Sequence, residues 1–207
     1  MRHDHYPTGS VRALLQTDLV KPNTRAVLKD RFQKEKRIVP VFFDAKNFEI
    51  LTSVCMRLIP QHDRAEVVDL PGLLDEQLSA GTGKGWRFNQ MPDDKIVYPT
   101  GLYGINDTAE LMYHKEFTLL AETEQDAVLS KVQSGNATGK TWKQLPSRLF
   151  FEELLTLLTE LYYSHPLAKE EIGEVAFADG KGWVNIGLNE HEVHEPLSIK
   201  NKADDKQ

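Results

Sequence analysis

Apolar residues recur at every third or fourth position in several stretches of the chain, the spacing of one helix face. The first strong stretch runs through Phe48, Leu51, Cys55, Leu58 and Ile59. Asp44 stands before it as an N-cap, and Pro60 ends it, because the residue before a proline disfavours helical backbone. Val67, Leu70, Leu74 and Leu78 mark another helix, with Asp69 and Pro71 near its start and Gly81 at its end. Leu102, Ile105, Ala109 and Met112 mark a third. Thr123 and Asp126 have the spacing of a capping box and open a fourth, through Ala127, Val128 and Leu129 to Val132, closed by Gly135. The longest carries Leu149, Phe150, Leu154, Leu157, Leu158, Leu161 and Tyr162, an apolar face wide enough for a central position. Pro146 sits in its first turn and Pro166 just past its end. A short charged helix, TRAVLKDRFQKEK, capped by Asn23 or Thr24, precedes them all.

The flanks read differently. Residues 1–22, punctuated by Pro7, Gly9 and Pro22, predict an extended arm. Residues 81–95 are glycine-rich and irregular, a loop long enough to face a partner. Residues 167–199 show little periodicity and read as an ordered but irregular segment that Trp183 and Ile186 pin to the body. Residues 200–207 read as a frayed tail. Strand alternation is weak throughout, and no internal repeat is visible. The pattern therefore predicts a mostly α fold, a single domain of about six helices over residues 23–199 with long irregular loops.

Composition narrows the chemistry. The 207 residues carry 25 Lys+Arg and 31 Asp+Glu, a formal charge of −6. An acidic chain is a poor match for nucleic acid, whose phosphates call for a basic surface. No apolar run approaches the roughly 18 residues of a membrane span. The opening MRHDHYPTGS has no apolar export signal after it, which predicts a cytoplasmic chain by default, or a periplasmic one if a signal-bearing partner carries it out. A single cysteine, Cys55, excludes an internal disulfide, a CxxC redox pair and a CxxCH haem attachment. Its place on an apolar helix face makes it an inert core thiol. Charge is uneven: residues 1–37 hold nine Lys/Arg and four Asp/Glu, whereas residues 152–207 hold five and twelve. These are either two solvated surfaces, or a basic arm that docks on an acidic surface.

Candidate catalytic motifs fail on detail. SGNATGKT (134–141) ends like a phosphate-binding loop, but Ser134 stands at the first glycine position and an amphipathic helix precedes it where a buried strand belongs. GTGKGW (81–86) has Gly85 where a magnesium-binding Ser or Thr is required. HEVHE (191–195) spaces His191 and His194 three apart, one short of HExxH, and Pro196 opposes a long helix there, so a solvated polar turn is the better reading. No GxSxG elbow accompanies Ser164-His165-Pro166. No catalytic, cofactor-binding or metal-ligating residue is therefore assigned. The aromatic residues Trp86, Phe88, Tyr162, Tyr163 and Trp183 lie in or beside irregular segments. They either staple those segments to the body or anchor a protein interface, where Trp, Tyr and Arg are enriched.

Several stretches together resemble the gluconate 2-dehydrogenase subunit 3 family. They are TRAVLKDRF (24–32), FFDAKNFEILTSVCMRLIPQHDR (42–64), GWRFNQMP (85–92), GLYGIND (101–107) and EFTLLAETEQDAVLSKVQSG (116–135). The most specific is FFEELLTLLTELYYSHPLAKEEIG (150–173), with its Tyr-Tyr-Ser-His-Pro run. The likeness spans most of the chain, from about Thr24 to Pro196. It implies a non-catalytic small subunit that stabilises or matures a large FAD-dependent dehydrogenase of the glucose–methanol–choline type, acting on sugars or polyols. FAD then belongs to that partner, and haem c to a third, cytochrome subunit where the complex has one. A transient chaperone or export escort of the flavoprotein is the alternative, and a free-standing carbohydrate-active enzyme a more distant one. Many members of the family begin with a twin-arginine signal, and this chain does not. The interface or loop-ordering residues expected are Trp86, Arg87, Tyr162, Tyr163, His165 and Trp183.

Overall fold

A computed structural model describes residues 6, 8–33, 36–62, 64–82, 91–177, 180, 182–188 and 190–197. Among these residues the chain is helical, without a strand, as the 3.6-residue periodicity predicts. Eight α-helices and two short 3-10 turns follow one another. They are α1 (Ser10–Leu14), α2 (Pro22–Gln33), α3 (Ala45–Leu58), α4 (Leu70–Ser79), α5 (Asp94–Tyr113), α6 (Glu122–Gln133), α7 (Ser147–Ser164) and α8 (Pro166–Ile172). Six of these, α2 to α7, are the helices that the sequence predicts. No helix among the described residues is long and apolar enough to cross a membrane.

The chain gathers into two compact units. One comprises Lys36–His62 and Asp69–Leu161. It holds α3 to α6 and α7 as far as Leu161. Within it α5 packs against α3, α6 and both 3-10 turns. Leu102, Ile105 and Ala109 of α5 are buried, together with Ile50, Leu51 and Val54 of α3 and Val128 of α6. Cys55 is buried here as well, and burial pushes its thiol pKa far up, so it stays protonated. Polar side chains bracket the turn between α5 and α6. The Asn106 carbonyl accepts the Phe117 N–H at 3.0 Å, and the Gln125 amide donates to the Phe117 carbonyl at 2.9 Å. Both backbone polar groups of the buried Phe117 are thereby satisfied.

Asp44 caps α3 as expected, accepting from the Asn47 N–H at 2.7 Å. Asp69 does the same for α4 through the Gly72 N–H. The capping box expected of Thr123 and Asp126 is displaced. Ala121 is the N-cap of α6, and the Glu124 carboxylate accepts the Ala121 N–H at 2.9 Å. Asp126 instead forms a two-pronged pair with Arg57 of α3, which also meets Glu122. A charge-assisted pair between helices outweighs a weak Asp cap.

A strap precedes α3. The fully buried Asp75 carboxylate of α4 accepts the N–H groups of Val41, Phe42 and Phe43 at 2.8, 2.9 and 3.1 Å. Asp69 accepts the Arg37 N–H at 2.7 Å. The backbone is thus tied down while Ile38, Val39 and Val41 remain exposed.

The other unit comprises Met1–Glu35, Asp63–Val68 and Tyr162–Gln207. Val11, Leu14, Leu15, Val20, Leu28 and Val175 form its core, with Leu19, Phe32 and Phe177 packed against it. The arm expected to be extended therefore carries a helix. Its first turn is held from α8: the buried Glu170 carboxylate accepts the Gly9 and Arg12 N–H groups at 3.0 and 3.1 Å. A carboxylate at a helix N-terminus is the favoured charge there. α8 also departs from the expectation of an irregular segment after Pro166. Proline is well suited to the first position of a helix, and here it begins one.

Candidate functional site

The stretch Tyr162 to Glu171 gathers three of the six residues expected to serve an interface, and all lie in the second unit. Tyr162 is buried. Its hydroxyl donates to the Glu171 carboxylate at 2.8 Å, and the Arg64 guanidinium lies 5.1 Å from its ring centre. Arg64 also pairs with Glu171. Burial, then the hydrogen bond to Glu171, holds the phenol pKa well above its ordinary value. Tyr162 is therefore a neutral donor that fixes the last turn of α7, within this unit, to α8. Tyr163 meets it edge-on at 5.1 Å and is 45% exposed.

His165 is buried between α7 and α8, and its partners define its proton. Nδ1 accepts the Leu167 N–H at 3.3 Å, which makes it the N-cap of α8. A nitrogen that accepts carries no proton. Nε2 lies 3.1 Å from the Arg31 carbonyl and so donates to it. The ring is thus the neutral Nε2–H form, tied at both ends. Phe32 packs edge-on at 6.5 Å, and the Arg31 guanidinium donates to the Ser164 carbonyl. Burial lowers the His165 pKa first, the Arg31 charge lowers it further, and the hydrogen bond to the Arg31 backbone opposes both.

This geometry sets a pH dependence. The folded value lies below the ordinary 6.5, so the unfolded chain binds the extra proton first as pH falls. His165 therefore contributes full stability above about pH 6.5, and that contribution declines below it. His165→Asn keeps a capping oxygen and removes the titration. Melting curves between pH 7.5 and 5 are expected to show a shallower acid loss for this variant. An equal slope in both proteins would refute the assignment.

Trp183 belongs to the same unit but a different segment. Its ring stacks on His194 at 6.0 Å and is 48% exposed. Trp183 and His194 line a small hollow with Leu19, Val175 and Phe177. His191 faces Glu195 at 3.7 Å, so the two histidines of HEVHE serve different partners. Among the described residues no group of three His, Cys, Asp or Glu side chains converges as a metal site. Trp86 and Arg87 lie outside the described residues.

The structure thus separates two kinds of role. Tyr162 and His165 are internal, with their polar ends paired, and they order the junction of α7, α8 and α2. Tyr163 and Trp183 keep surface to offer. The partners of the internal pair, Arg64 and Glu171 for Tyr162 and the Arg31 carbonyl for His165, escape a sequence reading. Arg64 lies about a hundred positions from Tyr162, and nothing in the spacing of the family-like stretches pairs these residues with one another.

Comparison with known proteins agrees with the likeness of the motifs. No curated protein and no solved structure matches the chain significantly. The profile of one family, gluconate 2-dehydrogenase subunit 3, matches residues 45–188, well over half of the chain. That span takes in α3 to α8, including the Tyr162–His165 junction, and reaches past Trp183. The chain belongs to the gluconate 2-dehydrogenase subunit 3 family.

Proposed function

We propose that the chain is the non-catalytic small subunit of an oxidoreductase complex. It binds and stabilises a larger FAD-dependent dehydrogenase of the glucose–methanol–choline type, which oxidises a sugar or polyol. The family match over residues 45–188 carries this reading, because the family is described as a subunit of a dehydrogenase. The use of titratable side chains supports it. The buried Asp75, His165 and Glu170 are each engaged by backbone groups, and Tyr162 and Glu171 by each other. Groups spent in this way hold elements together. FAD belongs to the partner in this reading. A haem c would sit in a third subunit.

The test is recovery of the tagged chain at low salt from a host shown to express the flavoprotein. The expected result is a large protein that co-elutes stoichiometrically and has a flavin spectrum. The complex should persist after FAD loading, since a permanent subunit stays bound whereas a chaperone holds only the apo form. A colourless monomer would overturn the proposal.

A further inference from the structure

The described residues of the segment from 182 to 197 staple their own backbone at the surface: carboxylates accept backbone N–H groups while apolar side chains stand in water. Glu192 accepts the N–H groups of Val184 and Asn185 at 2.5 and 2.8 Å. Glu190 accepts the Gly187 N–H at 3.0 Å, and Glu195 accepts the Glu192 N–H at 2.6 Å. The Asn185 amide closes the loop onto the His191 carbonyl at 3.1 Å. Trp183, stacked on His194, roots the segment beside Val175 and Phe177 of the unit's core. Outside stand Ile186, Leu188 and Val193, which are 83%, 94% and 101% exposed, and Val184 and Leu197 are exposed as well. A loop stapled by its own polar groups needs little further ordering when it binds, so burial of those side chains converts more fully into affinity.

Charge selects among the possible occupants. Residues 182–197 contain Glu190, Glu192 and Glu195 and no Lys or Arg. Hydrogen bonds from the Asn185 and Val184 backbone keep the Glu192 pKa low, so it remains ionised. A second copy paired through this face would set three carboxylates against three. An anionic lipid surface repels the same groups. A protein groove that is apolar at its floor and basic at its rim satisfies both features.

We propose that residues 182–197 form a preorganised docking loop, whose Ile186, Leu188 and Val193 enter an apolar groove with a Lys/Arg rim on the larger subunit of the complex. This rests on the accessory-subunit reading above.

The probe is the flavin-bearing subunit recovered with the tagged wild-type chain, separated and rebound to full-length variants. Ile186→Ser/Leu188→Ser/Val193→Ser should keep its far-ultraviolet circular dichroism and melting temperature, because the three side chains are already in water. It should bind about a hundredfold more weakly. Added salt should weaken wild-type binding. Val193→Lys should bind more weakly than Val193→Glu, and the reverse order would overturn the basic rim. A triple variant that binds like wild type would overturn the docking loop and leave the accessory-subunit reading standing. A wild-type chain that recovers no flavin-bearing subunit would overturn both. A free chain that is dimeric, and monomeric in the triple variant, would assign the face to a second copy. Loop-dependent sedimentation with phosphatidylcholine–phosphatidylserine vesicles would assign it to lipid. Either of these last results overturns the proposal.

Discussion

Replacing Asp75 with alanine is expected to destabilise the chain by about 3–5 kcal/mol, the range for stripping partners from a buried, multiply bonded carboxylate. Three consecutive backbone N–H groups converge on this one side chain, and the Arg37 guanidinium lies 3.6 Å away. Alanine would leave those donors without their acceptor around a position that is itself fully buried. Apolar burial anchors only the end of the strap at Phe43, because Ile38, Val39 and Val41 point to solvent. Asp75→Asn should cost roughly half as much. Its amide keeps one acceptor oxygen but turns an N–H₂ group towards N–H donors. Urea unfolding of wild type and both variants measures the effect. A loss below about 1 kcal/mol in Asp75→Ala would mean that the strap is held by something else.

Gly101→Ala offers a test in which propensity and packing predict opposite signs. Gly101 lies inside α5, where alanine should stabilise a helix by about 1 kcal/mol. A Cβ at this position would lie 2.1 Å from the Phe150 ring, and Phe150 is fully buried. Such a distance requires the ring or the helix to move. Overpacking costs about 1–3 kcal/mol, so we expect a net loss of up to about 2 kcal/mol. The double variant Gly101→Ala/Phe150→Leu should lose less than the sum of the two single changes, since the smaller side chain makes room. A stabilised Gly101→Ala would show that the Phe150 ring yields at little cost.

Gly101 also marks where periodicity stops being informative. The apolar spacing of Leu102, Ile105 and Ala109 identifies α5 but begins it late. The structure starts the helix at Asp94 and carries it through Pro99. A proline inside a helix is costly alone and is tolerated when packing supplies the stabilisation. The same limit explains α1. Five residues with Gly9 before them have no local reason to be helical, and the Glu170 carboxylate that holds their first turn lies more than 150 positions away. The capping box at Thr123 fails for a related reason. Asp126 has a better partner in Arg57, and only the folded chain brings α3 to it.

The candidate site divides along the same line. The aromatic run at Tyr162 and Tyr163, and Trp183 beyond it, stand out in the sequence by residue type. Which of them is spent inside and which is offered outside depends on Arg64, Glu171 and the Arg31 carbonyl, contributed by distant segments.

The sequence by itself determined the helical class, six of the eight helices, the caps at Asp44 and Asp69, the buried thiol at Cys55 and the family. Each of these is written in local spacing, or in the order of motifs along the chain. Tertiary structure alone decided α1 and α8, the strap on Asp75, the proton on His165 and the outward turn of the apolar residues in the loop from 182 to 197. In α1, the strap and His165 a polar group is satisfied by a backbone that no short-range rule brings to it. A buried hydrogen bond depends on which groups the fold removes from water together, and that is settled only when the whole chain has packed.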